Sequence, residues 1–201
     1  MNYLFFDIEC CDGTHICSLG YIITDVNFHI LEKKDIIINP ELSFRLGPTK
    51  EEELKLCYSK ETFYKQKSFP SYYKIIKDLL TLKDTLLLGF SIGNDFNFIN
   101  IACDRYNLKQ LNLVGFDIQK LHKYISNDNY VRALEKVAEQ RNIQHNILKL
   151  HKSCDDAQLS MYILKNICNE ENLTINEIVN KYSNCIVQSK IYVKKIKPNL
   201  N

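Results

Sequence analysis

Apolar residues fill the first stretch of the chain almost without a break: Tyr3-Leu4-Phe5-Phe6-Asp7-Ile8-Glu9. A run this short and this apolar predicts a strand buried on both faces. Asp12-Gly13 signals a turn, and a second strand is expected from about Cys17 to Thr24. Asp25-Val26-Asn27 turns the chain into a third strand, about Phe28 to Ile38, which Asn39-Pro40 closes. Three strands joined by short turns predict an antiparallel meander.

The spacing of apolar positions then becomes helical. Residues 49–83 are rich in Lys and Glu and are interrupted at Phe69-Pro70. A helix begun by Pro70 or Ser71 would bury Tyr72, Ile75, Ile76 and Leu79. Thr85 to Phe90 reads as an apolar strand, a helix follows from about Asn94 to Tyr106, and Asn112 to Phe116 is the last strand expected. Helices are predicted near 118–126 and 130–140, a loop over 141–154, and a strong helix over 155–169. One short helix, about Ile175 to Tyr182, precedes a basic end with Lys190, Lys194, Lys195 and Lys197. Three antiparallel strands, then strand-helix-strand, then helices predict an α/β fold, a mixed sheet with helices on its faces.

Composition narrows the field. A chain of 201 residues fits one domain, here 1–170 with 171–201 as its short helical and basic C-terminal extension. With 45% hydrophobic and 25% charged residues, it resembles an ordinary globular protein and not a disordered one. No apolar run approaches the length of a membrane span, and Met1-Asn2-Tyr3 lacks a basic leader, so a soluble cytoplasmic protein is expected. The formal net charge of +2 supplies no global field for a polyanion, so any nucleic-acid contact must be local. Eight cysteines occur without a C-x-x-C pair, which argues for free thiols over zinc or a disulfide framework.

Several carboxylates sit where apolar residues would be expected. Asp7 and Glu9 are two apart, so both project from the face of the first strand that also carries Phe5. Two like charges on a buried face repel and are costly to desolvate, and a divalent cation removes both problems. Taken alone, the pair reads equally well as two acids at a solvated strand end. Asp95 shares a helical stripe with Phe98, Ile99 and Ala102, and alone it reads equally as a first-turn acid facing the helix dipole. Asp156 is in line with Ser160, Ile163 and Ile167, a core-facing row. Its neighbour Asp155 is in line with Gln158, Tyr162 and Lys165, where a charge would be mainly solvated. His151 stands five residues before Asp156, in a loop able to swing an imidazole towards it. Acids on a first strand, a middle helix and a late helix offer hard oxygen ligands, which suit magnesium or manganese and not zinc.

These residues resemble the motifs of the DEDD superfamily of 3′-to-5′ exonucleases, in its histidine-bearing branch. That branch includes the proofreading subunit of bacterial DNA polymerase III, ribonuclease T and oligoribonuclease. Phe5-Phe6-Asp7-Ile8-Glu9 resembles the first motif, Leu88-Gly89-Phe90-Ser91-Ile92-Gly93-Asn94-Asp95 the second, and His151-x4-Asp156-Ala157 the third. Asn39-Pro40-Glu41 and Ser68-Phe69-Pro70-Ser71-Tyr72 are similar to landmarks between the first two. The likeness runs over about residues 1–170. It departs from the family at Cys10 and Cys11, where small hydroxyl residues usually follow the first motif, and at Phe90-Ser91, where His-Asn is common.

The resemblance implies a ribonuclease H-like mixed five-stranded sheet flanked by helices. It also implies two Mg2+ or Mn2+ ions, with Asp7 bridging both, Glu9 and Asp156 completing the first, and Asp95 holding the second. His151 would be the general base. Cys10 and Cys11 would lie beside the terminal nucleotide, and Phe96 is the candidate for stacking on a base, with core packing the competing role. The implied activity removes nucleoside 5′-monophosphates from single-stranded DNA or RNA 3′ ends, DNA ahead of RNA, and is compatible with a polymerase or adaptor partner. An RNA exonuclease like oligoribonuclease, a non-catalytic nucleic-acid-binding module and an internally cutting nuclease of the same fold are the alternatives.

Overall fold

In the computed structural model, which describes residues 2–44, 56–146 and 148–192, the apolar opening run is the strand β1 (Asn2–Cys10) at the heart of the molecule. Its even side chains Leu4, Phe6 and Ile8 enter one core and its odd side chains Tyr3 and Phe5 enter another. β2 (Ile16–Thr24) and β3 (Ile30–Ile37) continue antiparallel from it as the expected meander. On the other side β4 (Thr85–Gly89) and β5 (Val114–Asp117) add in parallel, and the sheet order is β3-β2-β1-β4-β5-β6.

The sixth strand corrects the expected count of five. After the helix α7 (Ile175–Lys181), a single 3-10 turn (Ser183–Cys185) leads into β6 (Ile186–Gln188), antiparallel to β5. Three residues are too few to show an alternating pattern, so pairing with the open edge of β5 decides this strand, not its own sequence. Polar groups lock it there. Ser189 Oγ accepts the Leu113 N–H and donates to Leu111 O, both at 2.8 Å. The buried Asn100 side chain bonds Leu111 and the Lys190 carbonyl. Of the basic end, Lys194, Lys195 and Lys197 lie outside the described residues, as does the start of the Lys- and Glu-rich segment.

Helices cover both faces. α2 (Phe69–Leu80) and α3 (Ile92–Arg105) pack on Leu4, Phe6 and Ile8. α2 packs on the core through Ile76, with Tyr72 and Leu79 partly buried as expected and Phe69 and Leu80 buried in addition, while Ile75 is 57% exposed. Pro70 sits in the first turn, so Phe69 is already helical and joins the buried row. On the opposite face lie α4 (Ile118–Ile125), α5 (Leu134–Gln140), α6 (Ser153–Glu171) and α7, against Tyr3, Phe5, Ile22, Leu88 and Phe116. A short helix, α1 (Lys60–Tyr64), precedes α2. Among the described residues no helix is long and apolar enough to cross a membrane.

Candidate active site

The sheet register places the acids. Asp7 pairs with Gly20 on β2, and Gly20 pairs with Asp35 on β3, so the three share one cross-strand row on the α6 face. Glu9 pairs with Ser18 in the next row. Gly20 has no side chain because α6 begins on top of it. A Cβ there would stand 1.9 Å from the Cys154 amide nitrogen and 2.1 Å from the Ser153 carbonyl carbon. Ser18 Oγ is hydrogen-bonded to Ser153 Oγ, which ties the first residue of α6 beside Glu9. The glycine thus lets the helix carrying Asp156 lie directly against the strand carrying Asp7. A glycine inside a strand pattern is a sequence signal for such backbone approach. Gly20→Ala should cost about 1–3 kcal/mol or more from overpacking, a melting-point drop of about 2–4 °C per kcal/mol for a chain of this size. It should lower any activity as well, because relief of the clash moves Asp156.

Asp95 arrives from the other side of the sheet. β4 pairs with β1 only as far as Phe5, and beyond that point Asp95 Oδ1 accepts the Ile8 N–H at 3.1 Å. α3 begins at Ile92, two residues before the expected start, after Ser91 in the left-handed region (φ 61°). Asp117, at the end of β5, accepts the Ser91 N–H at 3.2 Å while capping α4 through the Gln119 and Lys120 N–H groups. This buried acid fixes the junction that aims Asp95. Its position just before a helix was a readable cap signal.

The third group is the loop His151 and the first turn of α6. Asp156 Oδ2 accepts the His151 N–H at 3.0 Å, and His151 Nδ1 lies 3.7 Å from Glu9 Oε1. Ligand atoms of Glu9, His151 and Asp156 all lie within 4.8 Å of one another. The His151 side chain is 59% exposed, so its imidazole is in contact with solvent.

Electrostatics confirm how crowded the acids are. Desolvation, joined by Asp95, Glu9, Asp156 and Asp35, holds Asp7 well above the usual carboxylate range. Asp95 is also held well up, by desolvation first, against the lowering effect of its hydrogen bond from Ile8. Burial and then Glu9 push Asp156 up to about 7. The Glu9 carboxylate raises the His151 imidazole above its ordinary value although burial opposes it. Mutually repelling carboxylates are costly without a compensating charge, and Glu9, His151 and Asp156 could together hold a divalent cation.

Four expectations need correction. Phe96 is fully buried and stacked on Phe6 at 6.0 Å between ring centroids, so it has no face for a base. Ile92, Phe96, Ile99 and Cys103 form the buried row of α3, while Phe98 is only half-buried. Cys10 and Cys11 are both buried, Cys11 in a small cluster with Cys17 and Phe63, so neither thiol is presented to a substrate. Asp155 is buried, not solvated. Lys33 from β3 reaches it at 2.5 Å, and its other oxygen accepts the Lys149 N–H at 3.0 Å. Every residue from Ser153 to Met161 is buried, because β2 and β3 flank a turn of α6 that helical phase alone leaves open to water.

Sheet order, helix placement and this convergence define a ribonuclease H-like fold with an acidic site. More narrowly, the chain has the fold of the DEDD 3′-exonucleases. It is similar to a 3′-exonuclease solved with a histone mRNA stem-loop, at 17% identity and TM-score 0.65 over 85% of this chain and 64% of that one. The nuclease domain of the DEDDh protein 3′hExo bound to rAMP gives 16% identity and TM-score 0.63, over 85% and 91% of the two chains. E. coli Exonuclease I with a dT13 oligonucleotide gives 17% and 0.62, over 85% and 42%. The chain therefore spans a little under two thirds of the first of these proteins and less than half of the last. No family model and no curated protein matches the chain.

Proposed function

We propose that the protein is a metal-dependent 3′-to-5′ exonuclease that releases nucleoside 5′-monophosphates from single-stranded nucleic-acid ends, DNA ahead of RNA. The convergence of Asp7, Glu9, Asp95 and Asp156 from a strand and two helices, with His151 beside Glu9 and Asp156, carries the reading. The four acids would hold the divalent ions. When bound, magnesium or manganese supplies positive charge at the phosphate and makes water easier to ionise. His151 is the base: its exposed imidazole takes the proton of the attacking water and hands it to solvent, a role worth typically about 10²–10⁴-fold. Asp95, anchored on the Ile8 amide, and Asp156, anchored on the His151 amide, keep their carboxylates in place without a substrate. The likeness to a nuclease domain bound to rAMP favours RNA ends as a second reading.

A pair of 5′-labelled single strands, DNA and RNA of matched sequence, tests both. With magnesium or manganese, a ladder shortening from the 3′ end is expected, faster on DNA, and excess EDTA should stop it. Internal fragments, undiminished cutting in EDTA by clean protein, or no cutting with either ion would overturn the assignment. Calcium should support binding with poor turnover, because its looser coordination seldom keeps the required geometry.

A further inference from the structure

We propose that Asp35 and Tyr58 are positioning residues for His151, holding residues 57–58 as a strap across the loop that presents the imidazole. This rests on the reading of His151 as the base.

His151 needs holding. Its φ of 61° lies in the left-handed region, which a non-glycine residue keeps only when its surroundings impose it. Two contacts do so: Asp156 accepts its N–H at 3.0 Å, and the Cys57 N–H donates to its carbonyl at 3.1 Å. A third contact ties the same loop to α6, Lys149 N–H to Asp155. Two of these three points come from α6 itself, and Asp156 is also claimed by the cation site. The Cys57 amide is the one that comes from a distant part of the chain and owes nothing to the acids.

Tyr58 fixes that amide. Its hydroxyl donates to Asp35 Oδ2 at 2.6 Å, a short charge-assisted bond, and its ring stands edge-on to Phe63 at 6.0 Å and 87°. Burial and then Asp35 hold the phenol in its protonated, donating form. The other oxygen of the same carboxylate, Asp35 Oδ1, accepts the Cys154 N–H at 2.8 Å, in the first turn of α6. One carboxylate on β3 therefore anchors both the strap that grips the His151 carbonyl and the helix whose Asp156 grips its N–H. Asp35 lies one row-neighbour beyond Gly20 from Asp7, which brings this anchor to the site without making it a metal ligand in the set above.

An ordinary structural role would lower stability and leave the coupling to His151 at zero, which sets the experiment. Tyr58→Phe keeps the ring on Phe63 and removes only the hydroxyl. On a single-stranded DNA oligonucleotide with magnesium, kcat should fall roughly 10- to 100-fold with KM little changed, as expected when a base is misplaced by a fraction of an ångström to an ångström. In a His151→Ala background the same substitution should change kcat by less than about twofold, because its effect runs through the missing imidazole. Asp35→Asn, which retains an oxygen for the Cys154 N–H, should show the same non-additivity. Without metal or substrate, the amide 1H–15N signal of His151 should shift or broaden in Tyr58→Phe. An equal loss in both backgrounds, or an unperturbed His151 signal, would overturn the proposal. A parent protein that degrades nothing would instead overturn the exonuclease reading, while the His151 signal would still report on the strap.

Discussion

Asp156→Asn should abolish measurable nuclease activity and leave the protein folded. The asparagine oxygen can still accept the His151 N–H, so the loop keeps its anchor, but the charge that would hold a cation is gone. Stability should respond in a particular direction. With metal removed, Asp156 titrates at about 7 in the folded protein and near 4 in the unfolded chain. Between those values the folded state binds a proton that the unfolded state does not, so stability falls as pH rises through the window. The fall is on the order of a few kcal/mol, and an asparagine at this position cannot contribute to it. Thermal melts in EDTA at pH 5 and pH 8 should show the parent losing more than the variant, and magnesium should restore the parent at pH 8. Activity above a tenth of the parent, or equal pH slopes, would refute this placement of the third acid. Asp155→Asn makes the contrast. Burial works against its charge, but hydrogen bonds from Lys33 and the Lys149 amide, with the charges of Lys33 and Lys152, hold it below the ordinary carboxylate range. That stability is present at neutral pH and lost as pH falls through the depressed value. The variant should therefore melt earlier yet stay within about tenfold of parent activity, since hydrogen bonds to a charged group contribute only about 1.5–3 kcal/mol, all of it to the fold.

His151→Ala should lower turnover by roughly 10²–10⁴-fold with magnesium or manganese binding largely retained. Calorimetric titration of the ion separates the two effects. Two other histidines, His122 and His145, have structural partners. His122 is buried, accepts from Arg141 Nε at 3.1 Å, and is shifted down by burial and by that guanidinium. His145 bonds the Ile143 carbonyl. If either proved the sensitive position, the third motif would be misplaced. The rate should rise with pH as the imidazolium loses its proton. The main cause of its raised pKa is the Glu9 carboxylate, so a cation bound by Glu9 withdraws that cause. Titration of the His151 ring signals should accordingly show a lower midpoint with magnesium than without it.

Much of this protein was legible in its amino-acid order, for a physical reason. Backbone periodicity is local, so Asp7 and Glu9 had to share a strand face, and Asp156 had to share a helix face with Ser160, Ile163 and Ile167. Those residues are buried in the structure, with Asp156 at their edge. The acids were conspicuous because a charge on an apolar stripe is costly unless something compensates it. The meander, the parallel strands and the loop before α6 followed from the same local patterning.

What tertiary structure alone decided is everything that depends on a second element. Helical phase placed Asp155 in water, but Lys33 on a strand 122 residues earlier in the chain closes over it. Phe96 looked available because the stripe of Asp95, Phe98, Ile99 and Ala102 left it aside, and the row that is buried is set by the sheet α3 packs on. β6 exists because β5 has an open edge. Gly20, Asp35 and Tyr58 belong to none of the three motifs, and their roles arise where strand register stacks Asp7, Gly20 and Asp35 beneath the first turn of α6. Sequence by itself determined which charges needed a partner; the packing of distant segments determined which of them found a lysine and which were left facing one another.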